Sequence, residues 1–537
     1  MSKSASSSRL PLSLSAAPNG INHMDFDGEG AISRTRKAED DSKFDDLGED
    51  DDDLFVEDRP VVHVEVRLQP DHPIRASLVK QAVLGWIMES VERLFIESFL
   101  ETWDDIPMFE ENVDRIWVAE CSESISSIKT CDVDIQVHVY TPSEETLLTE
   151  FAAVTEDEDD HGEPVSSASV RELPSAELDG LWDKCVSRSY ATWLALTCLH
   201  ASLIYPDDVK SNLLRYINTS LLLSDLEIDP NVMSTNRVVL LHGPPGTGKT
   251  SLCRALAQKL SIRLSDRYTS GRMVEINSHS LFSKWFSESG KLVEKLFSNV
   301  KEMVEDESRF VVVMIGGHEV VYERSSLMEL STDEVESLTA ARAGASSAEP
   351  SDAIRVVNAL LTQLDKLKVY KNVLVMTTSN LVQSIGTDHS PFPSSHVVSD
   401  PPADTAFVDR ADIVQYIGLP PPQAVYWILA SCFEELMAKH LVKPVKILSW
   451  KVMRVEQNQR AVGETERSRL VSGRLGELAL ACQVLGMSGR SLRKLPILAH
   501  AKYINDTAMR PIGTWIKAIE RVIQEERGQL AKPDGSS

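Results

Sequence analysis

The chain has 537 residues and a formal charge of −26, from 55 Lys and Arg against 81 Asp and Glu. Dividing that length by about 150 suggests two to four domains with ample core, and the acidic balance argues against a nucleic-acid backbone as the main partner, leaving room only for a local basic pore. Seven cysteines (Cys121, Cys131, Cys185, Cys198, Cys253, Cys432, Cys482) without a C-x-x-C pair suit a reducing compartment and imply neither disulfides nor zinc, and no apolar run approaches the roughly 18 residues of a membrane span.

Residues 1–58 open Ser-rich and close in the acidic run Glu39–Asp58, too poor in apolar residues to fold, so they are expected to form a disordered acidic tail. The basic patch Ser33–Lys37 reads as solvated. Order is expected from Val61, where Val62, Val64, Val66 and Leu68 alternate with His63, Glu65 and Arg67 as in a half-buried strand. Val83, Ile87, Val91, Leu94 and Phe95 follow at helical spacing, which predicts one helix between Ser77 and Leu100, and Ile135, Val137 and Val139 predict a further strand. These positions are core positions and carry no chemistry. Residues 59–144 therefore read as a small α+β N-terminal domain whose place suggests substrate or adaptor binding. Residues 145–204, with the acidic run Glu156–Asp160, read as a linker with a possible insert.

The next stretch, 205–419, alternates strand-like runs at Val238, Phe310–Ile315 and Val373–Thr377 with helical segments, as a parallel α/β sheet does. Its first strand runs straight into Gly243-Pro-Pro-Gly-Thr-Gly-Lys249-Thr250, which fits the phosphate-binding pattern G-x-x-x-x-G-K-[ST] without a mismatch. A helix rich in Leu and Ala follows from Ser251. Strand, glycine turn and helix let backbone N–H groups and a helix N-terminus face a polyphosphate, with Lys249 reaching the β/γ-phosphates and the Thr250 hydroxyl available to Mg²⁺. The nucleotide-binding set is thus Gly243, Pro244, Pro245, Gly246, Thr247, Gly248, Lys249, Thr250 and Ser251, with ATP and Mg²⁺ as cofactors. The acidic pair Asp333-Glu334 supplies the second requirement: Asp333 as a metal ligand beside Thr250, Glu334 to polarise the attacking water. Asp352 reads as the N-cap of a helix carrying Ile354, Val357, Leu361 and Leu364. Residues 420–526 read as a smaller helical domain with a polar break near 457–468, and 527–537 as a disordered tail.

Six stretches occur together and in order: Leu241–Thr250, Ser280–Gly290, Asp333–Arg342, Pro350–Leu360, Phe407–Asp412 and Met487–Arg490. On them, the span from about 205 to 505 resembles an AAA+ ATPase of the pachytene-checkpoint family, the remodellers of HORMA-domain proteins; the N-terminal domain resembles that family more weakly. The resemblance implies a P-loop parallel sheet with a C-terminal helical lid, preceded by the N-terminal domain. It also implies a homo-hexameric ring that hydrolyses ATP to ADP and phosphate and partially unfolds HORMA-domain proteins, with an adaptor as a further possible partner. Meiotic recombination, pachytene and spindle-checkpoint control follow, in the nucleus, on chromosomes or in the nucleolus, and in the cytoplasm, with no sequence-specific nucleic acid and no membrane. By position, Asn380 matches the sensor 1 residue, Arg410 an arginine finger acting on the neighbouring subunit and Arg490 sensor 2. Lys284, Trp285 and Phe286 match the pore loop that grips an extended polypeptide.

The chain departs from that pattern in three places of similar length: 184–202, 316–332 and 386–403. The second separates Ile315 from Asp333, where the family's apolar strand runs straight into the acidic pair. Short introns retained in the gene model are expected, with genuine surface loops as the alternative. Two rival functions stay open: a nucleotide-gated scaffold without turnover, and a generic AAA+ unfoldase or clamp-loader-like ATPase.

Overall fold

A computed structural model describes residues 59–70, 73–100, 103, 106–123, 125–144, 168–182, 204–205, 207–226, 228, 232–233, 235–277, 289–316, 351–380, 408–456, 465–506 and 508–530. The N-terminal domain comprises β1 (Val61–Leu68), α1 (Ala76–Ser90), β2 (Arg93–Phe95), β3 (Ser98–Phe99), α2 (Pro107–Asn112), β4 (Val113–Cys121), β5 (Ser127–Lys129) and β6 (Asp134–Tyr140). Its sheet has the order β3-β4-β1-β6, with β1 antiparallel to β4 and parallel to β6. Val62, Val64, Val66 and Leu68 pack with Val79, Val83 and Ile87 of α1 in one core. The expected single helix to Leu100 is instead a helix ending at Ser90. Val91 is extended, the backbone N–H of Thr130 donates to the Glu92 carbonyl, and Arg93–Phe95 pairs with Ser127–Lys129. Strand pairing there outcompetes the helical spacing of Val91, Leu94 and Phe95: Leu94 is buried from β2 while Phe95 is exposed.

The central domain holds β7 (Ala168–Leu173), α3 (Asp207–Asp225), β8 (Val238–His242), α4 (Lys249–Arg263), β9 (Ser270–Asn277), α5 (Ser289–Val304), β10 (Arg309–Gly316), α6 (Ser351–Leu367), β11 (Val373–Ser379) and β12 (Ile413–Tyr416). The sheet order is β12-β8-β11-β10-β9-β7, parallel except for β7, which runs antiparallel to β9 along one edge. Strand β7 lies within the stretch expected to be a linker, so the central domain begins before residue 205. Alternate residues of β10 feed opposite layers: Val311, Val313 and Ile315 pack with α5 and α6, while Phe310, Val312 and Met314 pack with α3 and α4. Helix α6 begins at Ser351, so Asp352 sits inside its first turn instead of capping it.

The C-terminal domain is helical: α7 (Pro422–Ala438), α8 (Trp450–Glu456), α9 (Thr465–Val484), α10 (Gly489–Ala499) and α11 (Ile512–Leu530), closed over Leu429, Phe433, Leu475, Leu495, Trp515 and Ile519. Helix α11 carries this domain past the expected boundary at 526.

The polar face of β1 is not solvated, as alternation alone suggests; it is buried against the central domain. Glu65, 3 % exposed, meets the Lys259 ammonium at 2.6 Å and the Arg263 guanidinium at 3.3 Å, both on α4, and Arg263 also binds Glu120 of β4. Asp179, just after β7, receives Arg67, Arg115 and the Tyr140 hydroxyl from three strands of the N-terminal sheet. Beside this network the rings of His63 and His138 stack at 5.3 Å, with His63 Nδ1 3.1 Å from His138 Nε2. Burial, with the charges of Arg263 and Lys259, lowers His63 to about 3; burial, Arg263 and His63 lower His138 to about 2.

Two outcomes follow from this interface. Glu65→Gln removes the carboxylate that Lys259 and Arg263 share, leaving Glu120 on Arg263, and is expected to destabilise the docked arrangement by about 3–5 kcal/mol; an unchanged thermal midpoint would count against the network. The histidines set a pH dependence whose sign is fixed. Both are neutral in folded and unfolded chain above the ordinary value of 6.5, but below it only the unfolded chain takes up protons, until about pH 3. Their stabilisation is complete above 6.5 and drains as pH falls, so the urea midpoint should drop between about pH 7.5 and about pH 5, and a His63→Gln, His138→Gln double variant should flatten that drop.

Candidate functional site

Strand β8 is buried along its whole length and delivers the glycine turn at the carboxyl edge of the sheet, where ligands of parallel α/β folds gather. The Gly243 N–H donates to the Ser379 carbonyl of β11 at 3.1 Å. A Cβ on Gly243 would stand 2.1 Å from the Ile417 carbonyl oxygen, so no other residue fits between this turn and the chain leaving β12. Thr247 Oγ1 donates to the Pro244 carbonyl at 3.0 Å, folding the turn on itself. Helix α4 then starts at Lys249, which places Thr250 and Ser251 in its first turn, where unsatisfied N–H groups favour an anion.

The Lys249 ammonium donates to the carbonyls of Gly243 (2.9 Å) and Pro244 (3.0 Å) and to Asn380 Oδ1 (2.6 Å). Two residues proposed from sequence, 131 positions apart, thus meet in one hydrogen bond. The third, Arg490, arrives from the C-terminal domain: Ser488, Gly489 and Arg490 lie against Gly246, with the Arg490 Cβ 3.2 Å from where a Gly246 side chain would begin. Ser488 caps α10 by accepting the Ser491 N–H at 3.3 Å, so a second helix begins against the turn.

Arg410 stands elsewhere. Its guanidinium makes a two-point contact with Asp365 of α6, at 3.0 and 2.8 Å, and its carbonyl accepts from Asn236 Nδ2. Asn236 and Asp412 flank the start of β8, while the glycine turn leaves its end at His242. Arg410 is therefore at the opposite edge of the sheet, about 13 Å away by strand rise alone, and out of reach of its own chain's turn. Asp333, Glu334, Lys284, Trp285 and Phe286 lie outside the described residues.

Among the described residues no group of three His, Cys, Asp or Glu could hold a metal. A Mg²⁺ that arrives on nucleotide phosphates keeps several waters and needs few protein oxygens, so the Thr250 hydroxyl at the head of α4 fits it.

Sequence reasoning misses two residues here. Tyr205 donates to the carbonyls of Thr247 (3.3 Å) and Gly248 (3.1 Å), from 42 residues upstream of the turn it touches. His242, the last residue of β8, packs against the Tyr416 ring, and burial together with the Lys249 charge lowers its pKa, keeping the imidazole neutral beside the site. Neither has a local pattern; only the fold brings them in.

Three family models match the chain: the TRIP13 N-terminal domain over residues 57–145, the ATPase family associated with various cellular activities (AAA) over 239–389, and the TRIP13-like AAA+ ATPase lid C-terminal domain over 421–527. The pachytene checkpoint protein 2 homolog of Rattus norvegicus is 40 % identical over 458 residues, covering 84 % of this chain and 89 % of that one. The homolog of Homo sapiens is 37 % identical over 488 residues, covering 89 % and 96 %. The solved structure of C. elegans PCH-2 aligns with a TM-score of 0.58 at 28 % identity, covering 87 % of this chain and 99 % of that one. On these matches the chain belongs to the pachytene checkpoint protein 2 family of AAA ATPases.

Proposed function

We propose that the chain hydrolyses ATP to ADP and phosphate within a homo-hexameric ring, and spends the resulting conformational change on partial unfolding of HORMA-domain proteins. Its setting is meiotic recombination, pachytene and spindle-checkpoint control, in the nucleus and cytoplasm. The observation that carries the reading is the convergence of Lys249, Asn380 and the Ser488–Arg490 cap on one glycine turn. Membership of a family whose relatives are named for the pachytene checkpoint supports the biological setting.

Each residue then has a role that its chemistry suits. Lys249 gives up its bonds to the Gly243 and Pro244 carbonyls for the β/γ-phosphates, while Asn380 orients the γ-phosphate or the attacking water. Glu334 polarises that water. Thr250 and Asp333 would hold Mg²⁺, which when bound would neutralise phosphate charge. Arg410, at the far edge of the sheet from its own turn, serves the nucleotide of the adjacent subunit, exchanging Asp365 for a phosphate oxygen. Arg490 acts from the lid on the same phosphates, and Lys284, Trp285 and Phe286 grip the client.

One feature of the chain favours a second reading, a scaffold that binds nucleotide without turnover. Strand β10 ends at Gly316, and residues 317–332 intervene before Asp333. A carboxylate acts on Mg²⁺ and water only when it is delivered within about an ångström. Joining Ile315 to Asp333 would set Asp333 in the place of Gly316, beside the Thr378 hydroxyl, which is buried without a partner among the described residues and lies 2.8 Å from where a side chain at 316 would begin. That hydroxyl can turn to donate to the incoming carboxylate.

The two readings separate in phosphate-release assays. The form lacking residues 316–332 is expected to turn over at least about tenfold faster than the full chain, a barrier difference of about 1.4 kcal/mol; equal rates make the insert a genuine part of the site. Glu334→Gln in the faster form should keep ATP binding, lose hydrolysis and retain a HORMA-domain client on the ring in a pull-down. Normal turnover in that variant places the catalytic carboxylate elsewhere.

A further inference from the structure

At the glycine turn, the two hydrogen bonds from Tyr205 are left unused by the roles assigned above. Tyr205 lies two residues ahead of the start of α3, and its side chain packs against the core that α4 shares with β8 and Ile417. Its single phenolic proton is shared between the carbonyl oxygens of Thr247 at 3.3 Å and Gly248 at 3.1 Å.

Those two carbonyls belong to the peptide units on either side of Gly248. In a trans peptide the C=O and the following N–H point to opposite edges of one plane, so a donor that holds the Thr247 and Gly248 carbonyls from one side turns the N–H groups of Gly248 and Lys249 to the other. The other side is where a phosphate sits in such a turn. Gly248 has φ of 92°, in the left-handed region, and as a glycine it restrains the flanking planes less than any other residue would. The Gly248 carbonyl also accepts the Leu252 N–H at 2.8 Å, the first bond of α4, but the Thr247 carbonyl lies outside the helix. Tyr205 thus holds one plane that lies outside the helix and adds a second bond to the plane that begins it.

We propose that Tyr205 is a positioning residue for nucleotide binding: its hydroxyl fixes the two peptide planes around Gly248 so that the Gly248 and Lys249 N–H groups face the phosphates before nucleotide arrives. The proposal rests on the P-loop reading of Gly243–Thr250. It differs from a packing role in a way that one atom decides, because Tyr205→Phe keeps the ring in the core and removes only the donor. A net hydrogen bond of this kind corresponds to a change of about three- to tenfold in an equilibrium constant.

The test uses the full chain with Mg²⁺ and a fluorescent ATP analogue, comparing the parent, Tyr205→Phe and Lys249→Ala, together with the thermal midpoint of each without nucleotide. The expected result is a Kd about three- to tenfold higher for Tyr205→Phe at an unchanged nucleotide-free midpoint, with loss of measurable binding in Lys249→Ala. An unchanged Kd in Tyr205→Phe, with Lys249→Ala still defective, overturns the role of the hydroxyl and leaves the P-loop reading intact. A weaker Kd accompanied by a lowered midpoint makes the hydroxyl a fold determinant and also overturns the proposal. Full binding by Lys249→Ala overturns the P-loop reading on which the proposal stands.

Discussion

Two cations are buried in the C-terminal half of the P-loop helix, and a protein interior tolerates them only with a carboxylate buried alongside. Lys259 is 2 % exposed, and the Arg263 side chain 6 %. Their carboxylate, Glu65, comes from β1 of a different domain, with Glu120 of β4 as a second partner. The N-terminal domain is therefore required by the charge on α4 and is not a loosely tethered appendage. The same helix binds the β7 segment, since Gln258 both accepts from and donates to the Ser175 backbone, and binds β9 through the Arg254–Glu275 pair.

Helix α4 consequently has its first turn in the nucleotide site and its last turn in the docking interface. A helix of 15 residues is about 22 Å long and stiff on that scale. It thereby connects the glycine turn to the Glu65 ion pair, while at the other side of the turn the cap of α10 rests on Gly246. The central domain and the lid meet at the glycine turn, and the N-terminal domain docks at the other end of the same helix.

What the sequence makes legible is local. The strand, turn and helix around Lys249 are contiguous, and the alternation in β1 and β6 and the apolar runs of β8, β10 and β11 each announce their element. Strand β9 is missed because Ser270-Gly-Arg-Met-Val-Glu-Ile-Asn277 mixes charge into a buried position: Glu275 is only 6 % exposed and is paid by Arg254. Strand β7 is missed because its partner among the described residues lies about a hundred residues on, and a six-residue run carries no period of its own. The outward assignment of Glu65 fails for the same reason. Alternation reports which face differs, and a charged face reads as solvated until the domain that covers it is in place. The contact of Lys249 with Asn380 confirms no role by itself, but it shows that two residues chosen from separate motifs share one site, and Arg410 shows the converse.

The position of Arg410 gives the account its sharpest demand. Held by Asp365 at the edge of the sheet opposite its own glycine turn, it is out of reach of that turn, and the role proposed for it requires a neighbouring subunit. Mixing two inactive proteins tests this directly: Lys249→Ala subunits, which keep Arg410 but not nucleotide, and Arg410→Ala subunits, which keep nucleotide but not the arginine. Each alone is expected to be inert, and the mixture is expected to regain ATP turnover. A mixture as silent as its components, or Arg410→Ala subunits that hydrolyse ATP alone at the parental rate, would contradict it.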